Sequence, residues 1–588
     1  MNAEILEDII QDQLEQKQRE LELIKGIDLQ LKQHYRLPIE HSFTRDQRDK
    51  TTILFGGLTR RHERLIEGAM RGLGYNCKAL PTCDLKAYEL GREYGNNGYC
   101  NPAYFMVGNL VRYLQSLEAK GIGRQEIIDR YVFLTVGACG PCRFGLYEEE
   151  YRLALRLSGF DGFRVLLINM TGSLNQSGEQ AGLNMNLDFF LILLTALIMG
   201  DVLNQLAFQI RPYELEPGRT DKVMEEVLTY LPDVLRERKL FELNGGWKRP
   251  LTGSKLEGRL IYIGRFLDHM TTHYFVDALC KARNQFDEIQ IDRFRVRPIV
   301  RIIGEFWSAM VEGDGNFNMF RFLEEEGTEI SIDQAVGTQI MRVLHLTKQR
   351  LRDRKGIYES KDIPSWWRLD SRLKNNIRHR KRVDILTLAE KLYRREGSRY
   401  QKALGGTLHE IVDIYELQHL ASPFYNWRCG AGENHIEIGK NIYYHMHDLC
   451  HMVLSLKPFG CMPSTQSDGA QTAVVEQYKD MIYLPIETSA EGEILAHSRV
   501  QMALDAAREK AKQEFKEALA CTGRRLDELK AYVEDHPKLK RPTYRVPHRK
   551  GVVGSAARFV LHVADLMDDR GPALQPDSWP QRDKTHSL

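Results

Sequence analysis

Short strands rich in β-branched residues alternate with helical stretches in two regions of this chain. In residues 51–215, the strand patterns are Thr52–Phe55, Tyr131–Val136 and Arg164–Asn169. Helical periodicity over Arg60–Leu73 and Glu148–Leu157 separates these patterns. Strands that are each followed by a helix favour a parallel, doubly wound sheet. The pattern therefore predicts an α/β domain.

A second alternating region follows, with strand patterns at Val300–Ile303, Met452–Leu456 and Met481–Ile486. A helical stretch over residues 335–420 interrupts it. We therefore expect two α/β domains with helical insertions, and the two regions are candidates for distant structural duplicates.

The predicted organisation has five segments. These are a helical amino-terminal arm (1–47), a first α/β domain (48–215), a helical segment (216–295), a second α/β domain with a helical insertion (296–515) and a helical, basic tail (516–588). The arm carries an apolar stripe that includes Ile5, Ile9 and Leu14, which is typical of an amphipathic helix.

Bulk composition excludes several classes of function. The net charge of +2 indicates no electrostatic footprint for nucleic acid or membrane. The most apolar run, Phe189–Gly200, is shorter than the roughly 20 residues that cross a bilayer, so we interpret it as a buried helix. Met1–Gln18 contains no apolar signal-peptide core, which favours a cytoplasmic protein. Ten cysteines in such a chain suggest thiols that serve as metal or redox ligands.

Three cysteines lie just beyond predicted strands. Cys139 and Cys142 follow the strand at Tyr131–Val136, and Cys461 follows the one at Met452–Leu456. Ligands of open α/β sheets bind beyond the carboxyl ends of the strands, so facing domains would bring these thiols into one cleft. Cys100 precedes a predicted helix, whose amino terminus favours the thiolate that binds metal. Gly140 lets the backbone pass close to a bulky ligand.

Three other interpretations of the cysteines remain open. Cys139 and Cys142 have the spacing of a dithiol redox pair. A zinc site is less favoured, because it usually has a second close pair of ligands. Some of the cysteines are also compatible with simple packing in a core. The spacing alone favours an iron–sulfur cluster only modestly over zinc.

The chain resembles the activase-related region of the 2-hydroxyacyl-CoA dehydratase superfamily over about residues 51–515. The motifs are Gly98-Tyr-Cys-Asn-Pro-Ala-Tyr-Phe105, Ala138-Cys-Gly-Pro-Cys-Arg-Phe-Gly145, Gly159-Phe-Asp-Gly-Phe-Arg-Val165, Gly304-Glu-Phe-Trp307, Glu312-Gly-Asp-Gly-Asn-Phe-Asn318 and Leu454-Ser-Leu-Lys-Pro-Phe-Gly-Cys-Met-Pro-Ser464. The superfamily includes benzoyl-CoA reductase components and double-cubane cluster proteins. The resemblance implies an oxygen-sensitive enzyme with a cubane-type cluster between two flavodoxin-like domains. It also implies a separate ATP-hydrolysing 4Fe–4S activase as electron donor.

The resemblance further implies a set of metal ligands. Cys100, Cys139, Cys142 and Cys461 lie in matching motifs and are enough for one 4Fe–4S cluster. Adding Cys83 and Cys450 would give the six ligands that a double-cubane 8Fe–9S cluster needs.

Other side chains are weaker candidates. Glu305, Ser464 and Gln466 are candidates for substrate binding or proton transfer, and Arg143 for balancing cluster charge. Glu312 and Asp314 are further acidic candidates, although Gly313–Asn316 has the composition of a turn. His445, His447 and His451 surround Cys450, and His447 and His451 are spaced to share one face of a helix. Core or surface histidines are the better interpretation there.

We therefore expect a cytoplasmic iron–sulfur reductase component that acts on a small-molecule substrate and binds neither nucleic acid nor membrane. The sequence ahead of residue 51 contains no Gly-rich phosphate-binding motif, so ATP hydrolysis is assigned to the partner. One alternative is a 2-hydroxyacyl-CoA dehydratase component. Another is a non-catalytic scaffold that binds a cluster or zinc. The substrate, the use of a CoA thioester and homo-oligomerisation are left open.

Overall fold

The computed structural model describes residues 13–14, 16–17, 20, 43–137, 142–169, 181–242, 255–353, 367–429 and 432–568. The chain divides into two compact units, Met1–His41 and Ser42–Leu588. Both predicted α/β regions lie within the second unit. Cys139 and Gly140 lie outside the described residues.

Two four-stranded parallel sheets form the framework of the second unit. The first contains β1 (Thr52–Phe55), β2 (Asn76–Ala79), β3 (Tyr131–Gly137) and β4 (Arg164–Asn169), in the order β2-β1-β3-β4. The second contains β5 (Ile299–Gly304), β6 (Glu329–Ser331), β7 (Met452–Pro458) and β8 (Tyr483–Thr488), in the order β6-β5-β7-β8. The two sheets therefore share one topology. In each, the second strand lies on one side of the first strand and the third strand lies on the other, so the direction in which strands are added reverses between the first and third strands.

Helices connect and cover these strands. Those up to the second sheet are α1 (Arg60–Gly72), α2 (Leu85–Tyr94), α3 (Asn101–Ala119), α4 (Arg124–Arg130), α5 (Tyr147–Leu157), α6 (Leu187–Ile210), α7 (Arg219–Arg236), α8 (Lys255–Thr271) and α9 (Tyr274–Asp287). The later ones are α10 (Met319–Glu325), α11 (Ala335–Asp353), α12 (Leu369–Ala403), α13 (Ile414–Ala421), α14 (Asn434–Met446), α15 (Met462–Gln477), α16 (Glu493–Thr522), α17 (Leu526–Asp535) and α18 (Ser555–Met567).

The apolar helix α6 lies in a core that both sheet regions share. Its first turn is capped by the Asn186 side chain, which accepts a hydrogen bond from the Phe189 N–H. Among the described residues, the span Leu187–Tyr213 is long and apolar enough to cross a membrane, but 72% of its apolar window is buried. One hydrophobic cluster joins residues of α1, α6, α7 and α9 to residues of α11 through α14. The two sheets are therefore joined by a common helical core.

Two glycines bring α2 and α3 into close contact. A Cβ atom on Gly108 would lie 1.7 Å from the Ala87 carbonyl oxygen, and one on Gly91 would lie 1.9 Å from that of Tyr104. Any side chain at these positions would separate the helices. This packing fixes α3, and with it the position of Cys100 at the amino terminus of α3.

Most of the predicted strands and helices are present. The predicted strands match β1, β3, β4, β5, β7 and β8 within about three residues at each end. The short strands β2 and β6 were not among the predicted strand patterns. The charged stretch over residues 493–535 forms two helices, α16 and α17, because Gly523 ends α16 in the left-handed conformation. His447 and His451 do not share a helix, since α14 ends at Met446 and β7 begins at Met452.

Candidate functional site

Residues with reactive side chains follow the carboxyl ends of the inner strands. Cys142 follows β3, Glu305 directly follows β5 and Cys461 follows β7. In both sheets the change in chain direction falls between the first and third strands, that is, between β1 and β3 and between β5 and β7. Ligands of open α/β sheets bind at this switch point. The topology therefore places these residues where a ligand is expected.

Three cysteines each occupy the residue just before a helix. Cys100 is the N-cap of α3 and Cys461 is the N-cap of α15. Cys142 precedes the short 3-10 helix Arg143–Leu146, which continues into α5. Helix amino termini carry a partial positive charge and unpaired N–H groups. Each sulfur therefore lies where a thiolate or another anion is stabilised.

The loops that carry these cysteines touch one another across the two sheets. The Asn101 N–H donates a hydrogen bond to the Phe459 carbonyl oxygen at 3.0 Å. Gly460 has φ +76°, and a Cβ atom there would lie 3.0 Å from the Tyr99 carbonyl oxygen and 3.4 Å from the Cys100 Cα atom. A residue with a side chain would not fit this turn without movement. Glycine at 460 thus lets the Cys461 turn lie against the Cys100 loop.

Arg143 belongs to the same contact. Its Nη1 atom lies 3.4 Å from the position of a Cβ atom on Gly460, so the residue after Cys142 reaches the Cys461 turn.

Hydroxyl groups lie within hydrogen-bonding distance of two of the sulfurs. Ser464 Oγ donates to Cys461 Sγ at 3.1 Å, and Tyr147 Oη lies 2.8 Å from Cys100 Sγ. The predicted roles of Arg143 and Ser464 near the cysteines are therefore compatible with their positions.

Burial dominates the titration of the three thiols. It raises the pKa of Cys142 to about 12, to which Glu433, Glu305 and Cys100 contribute. Burial and then Glu305 raise the pKa of Cys461. Burial also raises the pKa of Cys100, despite the hydrogen bond with Tyr147. The metal-free thiols are therefore protonated at neutral pH. One carboxylate, Glu305, contributes to the raised pKa of all three.

Glu305 lies beside a second acid. Burial and the nearby Glu433 raise its pKa to about 7, although its carboxylate accepts hydrogen bonds from the Trp307 and Ser308 N–H groups at 3.0 Å each. Burial likewise raises the pKa of Glu433, against the opposing effects of Arg342 and Lys440. A carboxyl group that titrates near neutrality beside thiols is suited to holding and transferring a proton.

Sequence reasoning missed the residues around Glu433. Gln339 Nε2 donates to Glu433 Oε1 at 2.5 Å, and Arg342 Nη1 donates to the Gly432 carbonyl oxygen at 2.8 Å. Burial lowers the pKa of Lys440 to about 7, and its Nζ atom lies 2.5 Å from Asp333 Oδ2. The run Gly430-Ala-Gly432 before Glu433 was an available signal for a tight turn. Arg342 and Lys440 have no such signal, because they are ordinary charged positions within helices.

Of the other two predicted ligands, Cys450 is separated from Cys461 by the length of β7. Cys450 lies before β7, whereas Cys461 lies beyond its other end, and a seven-residue strand spans about 20 Å. Cys83 packs against Phe105 and Trp307. Burial raises the pKa of Cys83 to about 12, with smaller effects from Glu63 and Asp84.

The remaining candidates have structural partners. Gln466 Oε1 accepts hydrogen bonds from Asn434 Nδ2 and Tyr425 Oη. Glu312 forms an ion pair with Arg61, and Asp314 accepts from the Leu85 N–H at 3.0 Å.

The three histidines near Cys450 face different carboxylates, at distances of 3.2–3.4 Å. The pairs are His445 with Asp480, His447 with Glu416 and His451 with Glu514. They therefore form no common site with one another.

The described residues include no group of three or more His, Cys, Asp or Glu side chains already arranged to hold a metal ion. Cys139 is outside that set. The chemistry of the donors nevertheless suits an anionic metal–thiolate group, since three thiols lie at helix amino termini with Arg143 beside them. Comparison of the chain with protein-family models, curated proteins and solved structures found no match.

Proposed function

We propose that Cys100, Cys139, Cys142 and Cys461 hold a 4Fe–4S cluster that serves low-potential electron transfer to a small substrate. The observation that carries the proposal is that three of these cysteines, from three loops, lie at helix amino termini, and that Glu305 helps to raise the pKa of each. Four cysteine thiolates are the usual ligands of such a cluster. Cys139 is assigned by its place three residues before Cys142.

The topology supports this assignment. Both sheets have the strand order 2-1-3-4, which matches the flavodoxin-like order as far as its fourth strand. In flavodoxin-like folds the cofactor binds at the switch point, where Cys142 and Cys461 are found. We propose on this ground that the two sheets are flavodoxin-like halves that contribute ligands from both sides.

The chain's own residues have defined tasks in this proposal. A cluster bound here would supply single electrons at low potential. Arg143 and the helix amino termini of α3 and α15 balance its negative charge. Ser464 donates a hydrogen bond to a ligand sulfur, and Glu305 holds a proton for transfer to the substrate. In keeping with the resemblance, an ATP-hydrolysing 4Fe–4S activase delivers the electron.

Two alternative functions, a dehydratase component and a non-catalytic scaffold, can be distinguished from this proposal by experiment. A dehydratase component would use the same site for a 2-hydroxyacyl-CoA substrate. A scaffold would hold a cluster or zinc without turnover. The position of Cys450 argues for one cubane, because Cys450 and Cys461 lie at opposite ends of β7.

Anaerobic purification followed by iron, sulfide and zinc analysis tests the proposal. Brown protein with at least four irons per chain is expected, since four is the minimum for a cubane. Colourless protein with one stoichiometric zinc would replace the cluster with a structural metal. The matched controls are Cys280→Ala and Cys521→Ala, whose cysteines lie within α9 and α16. Both variants should keep the full iron content.

A further inference from the structure

A second polar cavity lies away from the cysteines. Its volume is about 100 Å³, and strand β6, helix α6, the 405–409 loop and the carboxyl-terminal segment line it. One buried water needs about 10–15 Å³, so the cavity has room for a ligand of several heavy atoms. Among the described residues, none of the proposed ligands, nor Glu305, contributes to its wall.

Two arginines in the wall have unused donors. Within the described residues, Arg558 forms no ion pair, and its hydrogen-bond partner is His548 Nδ1 at 3.4 Å. Arg293 donates through Nη2 to the carbonyl oxygens of Pro542 and Tyr544, whereas its buried Nε atom has no partner among the described residues. Leaving a buried donor without an acceptor is destabilising. The wall therefore favours a ligand that supplies acceptor oxygens.

The same wall has unused acceptors. Gln205 is 6% exposed, and its Oε1 atom lacks a partner in the described part of the chain. Its Nε2 atom donates to the Ile332 carbonyl oxygen at 3.1 Å. The Glu329 carboxylate also lines the cavity and accepts from Tyr213 and Ser555 through Oε2 alone, at 2.6 and 2.7 Å. A ligand with donor hydrogens would satisfy these atoms.

The charges of the surroundings decide between ligand classes. The wall carries two cations, Arg293 and Arg558, and one anion, Glu329, whereas the nearby Asp287 forms an ion pair with Arg283 at 3.6 Å. His409 adds no charge, because burial and then the cations Arg301 and Arg558 lower its pKa to about 3. Charges of both signs therefore line the cavity, so a ligand with separated negative and positive groups can pair with both.

We propose that this cavity binds a small free α-amino acid as its zwitterion. The carboxylate faces the Arg558 guanidinium and Arg293 Nε, and the ammonium group faces Gln205 Oε1 and the Glu329 carboxylate. A simple carboxylate would leave the acceptors unpaired, and a simple amine would leave the arginines unpaired. The volume of about 100 Å³ restricts the side chain to a small one.

Calorimetry on the full-length protein tests this with three probes. L-Alanine should bind at least tenfold more tightly than acetate, which lacks the ammonium group, or ethylammonium, which lacks the carboxylate. This comparison uses the unaltered chain and is independent of how any variant folds. Equal affinity for alanine and acetate overturns the amino-acid assignment. No binding of alanine at millimolar concentration also overturns it and leaves a cavity filled by water.

Two variants locate the site. Arg558→Gln should weaken alanine binding at least tenfold. The matched control is Arg545→Gln, whose arginine is exposed on the same segment and does not line the cavity. This control should bind like the parent, and an equal loss in both variants would overturn the location. Iron content, which depends on the cysteines, should be the same in all three proteins.

Discussion

Replacing Gly460 with alanine should loosen the proposed cluster site without removing a ligand. Gly460 has φ +76°, a conformation that costs an L-residue about 1–2 kcal/mol. The added Cβ atom would also lie 3.0 Å from the Tyr99 carbonyl oxygen, so that loop must move by a few tenths of an ångström. Together these effects predict a penalty of about 1–3 kcal/mol at the contact between the Cys100 loop and the Cys461 turn.

The assay is the rate at which an iron chelator removes iron from anaerobically purified protein. Because 1.4 kcal/mol corresponds to a factor of ten, Gly460→Ala should lose iron about 5- to 150-fold faster than the parent. Gly469→Ala is the matched control, because Gly469 is exposed in α15 with no atom near its Cβ position. It should retain iron as the parent does. Parental kinetics in Gly460→Ala, or equal losses in both, would refute the reasoning.

Three further predictions concern ligands, partner and stability. Cys142→Ala and Cys461→Ala should lose or degrade the cluster, measured as iron per chain and by electron paramagnetic resonance, while Cys280→Ala keeps its iron. Chemical reductants should reduce the cluster poorly and an activase with ATP efficiently; tight ATP binding by this chain alone would contradict that. Burial raises the pKa of Glu514, but hydrogen bonds from His451 and the Val553 and Gly554 N–H groups outweigh it and lower the pKa overall. A depressed pKa stabilises the fold above the unfolded value near 4.3, and this is lost as the pH falls through the folded value. Glu514→Gln should therefore be about 1–3 kcal/mol less stable than the parent at pH 7 and closer to it at pH 3, measured by denaturant unfolding.

The strands that were predicted share a recognisable pattern. β1, β3 and β7 are runs of buried β-branched and apolar residues with glycine or proline at or just beyond their ends. β6 was missed because it has only three residues, Glu329–Ser331, and two of them are polar. Its place in the sheet depends on pairing with β5, which no local pattern reveals.

The length of α6 was also underestimated, for a different reason. The predicted apolar run ended at Gly200, but the helix continues to Ile210 through Asp201, Asn204 and Gln205, which are buried. Asp201 accepts hydrogen bonds from the Val336 and Gly337 N–H groups, and Gln205 donates to Ile332. Polar residues satisfied by distant backbone groups resemble surface residues in the sequence. A core of this kind is visible only once the second sheet region is in place.

The shared topology explains which part of the site the sequence revealed. Cys142 and Cys461 occupy equivalent places, each following the third strand of its sheet and preceding a helix. The strand-end rule applies to both, so the sequence indicated both as candidate ligands. Cys100 and Glu433 are each the N-cap of one of the helices between the second and third strands of their sheets. In the first half that position is a thiol, and in the second it is a buried acid.

This difference between the halves gives the site its asymmetry. If both halves carried a thiol at the N-cap position, the ligands alone would surround the bound group. With Glu433 in place of a thiol, the second half instead sets an acid beside Glu305, and this acid adds to the effect of burial in raising the pKa of Glu305. In the proposed site, one half would therefore supply an additional metal ligand, and the other a pair of acids that can hold a proton. Reduction of a substrate needs both electrons and protons, and the proposed site would place the groups for both side by side.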